Sequence, residues 1–287
     1  MSDGDAAVRL GYCTNVHPAE TLDAVLRALR AFAAPVARRT GVDGVGLRLG
    51  ATAVAELEAP ERRDALKATL AGHGLRAFTV NGFPFGDFHA PRVKEAVYEP
   101  DWTTPERADY TRRVAARLVE LLPDDDPFGT VSTAPVGFAP KVRGRLDGAA
   151  DRMLDLVLDL ERLAAETGRR VMVCVEPEPA CALETIDDAV AFFRERLFRR
   201  AASRLGDAPD RAEERVRRHL GVCYDACHQA VLFEDVDDGF RRLAAAGVPV
   251  GKVQLSSALA LPSAGAEALR ALLGCAEPRF LHQATAR

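Results

Sequence analysis

The chain has 287 residues, enough for one large core, and 48% of them are hydrophobic, an ordinary globular proportion. Its 38 basic and 42 acidic residues leave a formal charge of −4; with arginines dispersed beside acids and no positive excess, no nucleic-acid partner is expected. No run approaches the roughly 18 apolar residues of a membrane span, and Met-Ser-Asp-Gly-Asp at the start lacks the basic and apolar regions of a signal peptide, so the protein is expected to be cytoplasmic and not membrane-embedded.

Strand-like and helix-like segments alternate along the chain, which predicts a parallel α/β architecture. Residues 8–14 read as a first strand. Pro18 opens a helix whose apolar residues Leu22, Val25, Leu26, Leu29, Phe32 and Val36 recur at helical spacing, and Gly41 ends it. Residues 43–49 suggest a second strand, 60–72 a helix, and 75–81 a third strand. A long connection follows at 82–103. It is rich in aromatics, which favours an ordered lid or pocket wall over a disordered linker. Helices at 104–122 and 147–167 flank a fourth strand at 129–134, and the fifth strand is 170–176. Thr185 and Asp188 form a capping-box pattern for a helix near 186–204. Residues 201–216, the most charged stretch, are expected to be loop-like and outside. Strands six and seven are 221–226 and 249–255, with a helix near 235–246 between them. The only candidate eighth strand is 279–285. The expected fold is a (β/α)8 barrel formed as a single domain over residues 1–287, its eighth unit either closing at 279–285 or incomplete.

Two of these strands end abruptly at an acid. Val-Met-Val-Cys-Val runs into Glu176, and Gly-Val-Cys-Tyr runs into Asp225, with His228 three residues on. Continuous apolar runs mark parallel strands buried on both faces, and polar residues at the C-terminal strand ends of such a barrel form its active site. Two carboxylates and an imidazole converging there point to a divalent metal, to acid–base chemistry, or to both. Gln254 at the end of strand seven offers an amide oxygen to a metal or a substrate hydroxyl. Tyr12, Asn15 and His17 after strand one, Asn81 after strand three, Phe83 and His89 in the aromatic loop, Ser132 after strand four and Ser256 beyond strand seven are candidate substrate-binding residues. No phosphate-binding P-loop, dinucleotide fingerprint or G-x-S-x-G elbow is present. The six cysteines form no C-x-x-C pair, and those within strands behave as small hydrophobes.

A strand-five Glu, a D-x-x-H after strand six and a polar residue on strand seven resemble the xylose isomerase-like barrels, which include sugar isomerases and epimerases and the family 2 AP endonucleases. Within them, the text is most similar to the EboE family of metabolite traffic proteins. The matching pieces are Gly11-Tyr-Cys-Thr-Asn-Val-His17, Thr79-Val-Asn-Gly-Phe-Pro-Phe-Gly-Asp-Phe-His89, Val97-Tyr-Glu-Pro-Asp-Trp102, Val131-Ser-Thr-Ala-Pro-Val-Gly137, Val175-Glu-Pro-Glu-Pro179, Cys223-Tyr-Asp-Ala-Cys-His228, Val253-Gln-Leu-Ser-Ser-Ala258 and Phe280-Leu-His-Gln283. The resemblance implies that Glu176 is both metal ligand and proton-transfer base. It implies that Asp225 is a ligand, that His228 is a catalytic residue touching substrate, and that Gln254 stands where the strand-seven ligand is usually His. The cofactor implied is a divalent metal, Mn, Zn, Fe or Co. The partners implied are a small-molecule metabolite and other proteins of the same gene cluster, which is associated with export or processing of secondary-metabolite precursors. No acid occupies the expected catalytic position on strand eight. Two readings therefore stand, a metal-dependent isomerase or epimerase and a non-catalytic metabolite-binding component. Action on abasic DNA would need several metals and a basic groove, against the ligand count and the negative charge.

Overall fold

Seven strands pair side by side in chain order to form one parallel sheet. They are β1 (Gly11–Cys13), β2 (Gly44–Arg48), β3 (Arg76–Asn81), β4 (Phe128–Thr133), β5 (Arg170–Val175), β6 (Leu220–Asp225) and β7 (Val250–Gln254). The computed structural model describes residues 8–86, 93–261, 263, 265–276 and 283–286. Helices cross between successive strands, among them Pro60–Gly72, Pro105–Val119, Leu146–Thr167, Pro209–His219 and Val236–Ala245. The sheet is curled. In a flat sheet β3 and β7 would stand about 19 Å apart, four spacings of about 4.8 Å. Instead Asn81 Nδ2 lies 3.4 Å from Gln254 Oε1, and Lys252 Nζ lies 3.0 Å from Ser132 Oγ. Strand order, parallel pairing and curl together are those of a (β/α)8-type barrel with seven strands among the described residues. Of the candidate eighth strand, residues 279–282 lie outside the described residues, and 283–285 have no regular structure.

The apolar runs are doubly buried, as the sequence requires. On β5, Val171, Val173 and Val175 pack under the helices, while Met172 and Cys174 join Cys223 of β6 in a separate cluster on the barrel axis. On β6, Leu220, Val222 and Tyr224 belong to the helix-facing core. Alternation with a period of two then carries Glu176 and Asp225 inward, above the axial thiols. Below that layer Arg9 lies over the rings of Phe78 and Phe128, and Arg170 lies over Phe128, closing the far end.

Three sequence expectations change. The first strand is short because Thr14 begins a 3-10 turn, Thr14–Val16, and because Val8 and Leu10 are exposed. The stretch 201–216 is helical. Gly206 ends the helix Arg199–Leu205 in the left-handed region, Pro209 sits at the first turn of the next helix, and Ala212, Val216 and His219 form its buried stripe. The 186–204 helix has its capping box, but its middle, Phe193–Phe198, is π-helical.

The long connection is pinned where it is described. Trp102 is fully buried and donates Nε1–H to Thr133 Oγ1 at 3.1 Å. The Arg107 guanidinium, also buried, donates to the carbonyls of Pro100 (2.7 Å), Gly82 and Phe83 (both 2.9 Å).

Candidate functional site

Glu176 follows β5 directly. Its backbone N–H donates to Thr133 O at 3.0 Å, which extends the β4–β5 ladder by one step and holds the side chain at the mouth. The carboxyl is buried, 4% exposed, and Oε2 has no hydrogen-bond partner. Burial, with Asp225 and Glu178 nearby, pushes its pKa up to about 7 against the pull of His228 and Lys252.

Asp225 ends β6 and caps the short helix Ala226–Val231. Its Oδ1 accepts from the amides of Cys227 (2.9 Å) and His228 (3.3 Å) and from Ser256 Oγ (2.5 Å). Its Oδ2 accepts from Gln254 Nε2 at 2.8 Å. The cap turns His228 toward β5, where its Nδ1 lies 3.0 Å from Pro177 O. A carbonyl only accepts, so Nδ1 carries the proton. His228 Nδ1 is 3.9 Å from Glu176 Oε1. Burial lowers the pKa of His228, but Glu176, Glu178 and Asp225 outweigh it and the net shift is upward.

The mouth thus gathers Glu176, Asp225, His228, Gln254, Asn81, Ser132 and Ser256. Gln254 turns its amide N–H toward Asp225, and its oxygen faces Asn81 Nδ2. In this arrangement it is a donor that orients a carboxylate; its oxygen is not aimed at the carboxylates as a metal ligand would be. Asn81 Oδ1 accepts from the Phe83 amide at 3.1 Å and so sets the start of the aromatic loop. Phe83 is buried with Tyr98, Ala134 and Cys181, a wall beside the mouth. Tyr12 and His17 bond to each other at 2.8 Å, and His17 stacks on Phe32, 46% exposed on the outer layer. Asn15 Oδ1 is buried without a partner. His89 lies outside the described residues.

Two participants are not among the residues that the sequence singles out. Lys252 lies on the inward face of β7, two residues before Gln254, and donates to the fully buried Ser132. Glu178 accepts from Tyr98 Oη at 2.9 Å and from Gln283 Nε2 at 3.1 Å, and burial raises its pKa. The period-two alternation marks Lys252 as inward once Gln254 is placed, so a signal for it existed.

No family model and no curated protein matches this chain. Solved structures with a similar course include a 3-keto-D-glucoside 4-epimerase from E. coli in its apo form, 16% identical, with a TM-score of 0.49 over 94% of this chain and 100% of that one. An AP endonuclease of family 2 from Brucella melitensis is 16% identical, with a TM-score of 0.48 over 98% and 94%. A xylose isomerase-like TIM barrel protein from Mycobacterium smegmatis, in complex with magnesium, is 14% identical, with a TM-score of 0.47 over 96% and 92%. At such identities and scores nothing about the chemistry of this site follows from them.

Proposed function

We propose that the barrel mouth takes a small hydroxy-aldehyde or hydroxy-ketone and that Glu176 moves a proton at the carbon beside its carbonyl, an isomerase- or epimerase-like reaction. The observation that carries this is the Glu176 carboxyl, buried at the C-terminal end of β5 with Oε2 free of any protein donor. A general base works best when its pKa lies near the working pH, and burial brings this one to about 7. His228, its Nδ1 occupied by Pro177 O, keeps Nε2 for a substrate oxygen or, when an ion is bound, for the ion. Asn81, Ser132 and Ser256 supply hydroxyl and amide groups for the remaining oxygens.

The residues present fit a divalent cation. Ligand atoms of Asp225, Cys227 and His228 lie within 4.8 Å of one another, and Glu176 Oε2 is a buried acceptor in want of a donor. Asp225, His228 and Glu176, with Cys227, would hold it; a mixed oxygen, nitrogen and sulfur set suits Zn, Fe, Co or Mn. When bound, such an ion polarises a carbonyl oxygen.

Among the described residues no helix is long and apolar enough to cross a membrane. The sequence pieces that resemble the EboE family span nearly the whole chain and support a place in the processing or export of secondary-metabolite precursors, beside other proteins of that cluster and in the cytoplasm. A second reading, a binding component without turnover, is favoured by one observation: Gln254 presents an N–H to Asp225 on strand seven, where the resemblance implies a metal ligand.

The test is deuterium exchange, followed by NMR. Dihydroxyacetone, D-fructose and D-tagatose are incubated in D2O with the protein and with Glu176→Gln. Exchange at the carbon beside the carbonyl, lost by about a hundredfold or more in the variant, is the expected result. Binding without exchange in the wild type would instead support the carrier reading.

A further inference from the structure

We propose that Lys252 is a nucleophile of this site, its ε-amine capturing the carbonyl carbon of the substrate as an imine. This rests on the hydroxy-carbonyl reading above and gives it a covalent step.

Of the 38 basic residues only four are lysines: Lys67, Lys94, Lys141 and Lys252. Arginine serves almost everywhere a cation is needed, and a guanidinium forms no imine; a lysine amine does. Lys67 and Lys141 lie on the outside, 45% and 46% exposed, against Glu120 and Glu99. Lys252 is placed differently. It pairs in register with Cys223, as Gln254 does with Asp225, so its stem leaves β7 at the level of the axial thiols. Its amine then reaches across the curled sheet to Ser132 Oγ on β4, at 3.0 Å. Among the described residues no carboxylate comes within 4.0 Å of it; Ser132 Oγ is the partner of its amine, and Glu176 lies at the same barrel mouth. An amine over an apolar floor, with a hydroxyl bonded to it, is placed as an imine-forming lysine is.

The step balances without an oxidant or reductant. The amine first yields a proton to the Glu176 carboxylate; its nitrogen lone pair then forms a C–N bond as the carbonyl π pair moves to oxygen, and Ser132 passes an amine proton to that oxygen, giving a carbinolamine. Glu176, as the acid, protonates the hydroxyl; the C–O bond breaks and water leaves. The iminium then draws electrons from the neighbouring C–H bond, and its proton goes to the Glu176 carboxylate. Glu176 then returns a proton to the enamine carbon, which restores the iminium, and hydrolysis by water releases the carbonyl product and the amine. The substrate class is an α-hydroxy aldehyde or ketone.

The experiment is reductive trapping. The full chain is treated with dihydroxyacetone and sodium cyanoborohydride at neutral pH, and modified lysines are located by peptide mass mapping. Lys252 should be labelled at least about tenfold faster than Lys67, Lys94 or Lys141. Ser132→Ala should slow that labelling, and Lys252→Arg should remove it. Labelling of Lys252 no faster than the other lysines in the wild-type protein overturns the proposal without recourse to any variant. The deuterium exchange experiment separates the two readings. Exchange that persists in Lys252→Arg overturns the imine and leaves proton transfer by Glu176 standing. Rapid Lys252 labelling with no exchange supports the imine and overturns the isomerase reading.

Discussion

The Asp225 carboxylate caps a helix with one oxygen and faces the mouth with the other. Substitutions can divide these roles. Asn caps a helix about as well as Asp, whereas Ala costs about 1–2 kcal/mol at such a position. Asp225→Asn should therefore keep the Ala226–Val231 helix and leave urea stability close to wild type, while losing the charge that would hold a divalent ion. Asp225→Ala should lose both. Elemental mass spectrometry of the unchelated proteins reports the metal, and urea unfolding reports the cap. Equal metal content in wild type and Asp225→Asn would remove Asp225 from the ligand set. Gln254 belongs to the same unit: its 2.8 Å bond to Oδ2 orients that oxygen.

The helix Pro105–Val119 does more than cover the sheet, because Arg107 reaches back from its first turn to three carbonyls of the 82–103 connection. Burial lowers this guanidinium to about 10, so at neutral pH it is still charged, and its cost is met by those carbonyls and by the face of Tyr110 at 5.6 Å. Arg107→Met would leave three buried acceptors unsatisfied, for a loss of roughly 3–5 kcal/mol. Arg107→Lys should recover little, since a point charge cannot bridge three carbonyls as a fork does. Limited proteolysis should then cut within 82–103 before elsewhere; an unchanged cleavage pattern and unchanged urea midpoint would show the fork to be dispensable. This anchor was not legible in the sequence, where Arg107 is one charge among many on a helix start. The strands were legible because two-faced burial writes continuous apolar runs, and Glu176 and Asp225 stood out as the acids that end them. Lys252 did not stand out, because a lysine two residues before Gln254 gains meaning only once Gln254 is placed facing Asp225 across β6 and β7. The helix Pro209–His219 was hidden for a different reason: three buried residues among arginines and glutamates make a thin stripe. Tyr12 and His17 follow strand one in the sequence as candidate substrate-binding residues; a turn at Thr14 lets them bond to each other and sets His17 against Phe32.

For the whole molecule, two buried titratable groups bend the stability curve in opposite directions over the same pH range. His219, at the end of the helix Pro209–His219, is fully buried between that helix and β5, with Nδ1 3.0 Å from Val171 O and Nε2 unpartnered. Burial holds its pKa below the ordinary 6.5. The unfolded chain therefore takes up this proton first, and the neutral imidazole's contribution to stability is lost as pH falls below 6.5. Glu176 behaves in the reverse sense. Its folded pKa of about 7 lies above the ordinary 4.5, so the protonated carboxyl stabilises the fold fully below pH 4.5. That contribution, on the order of 1–3 kcal/mol, is lost as pH rises through 7. Wild-type stability, measured by urea unfolding with a chelator present, should change less between pH 4.5 and 7 than that of either single variant. Glu176→Gln removes the falling component and should leave stability rising with pH; His219→Gln removes the rising component and should leave it falling. Parallel curves for all three proteins would mean that neither group titrates differently in the folded barrel, and with that the buried, unpartnered state of the Glu176 carboxyl would lose its role as the base of the site.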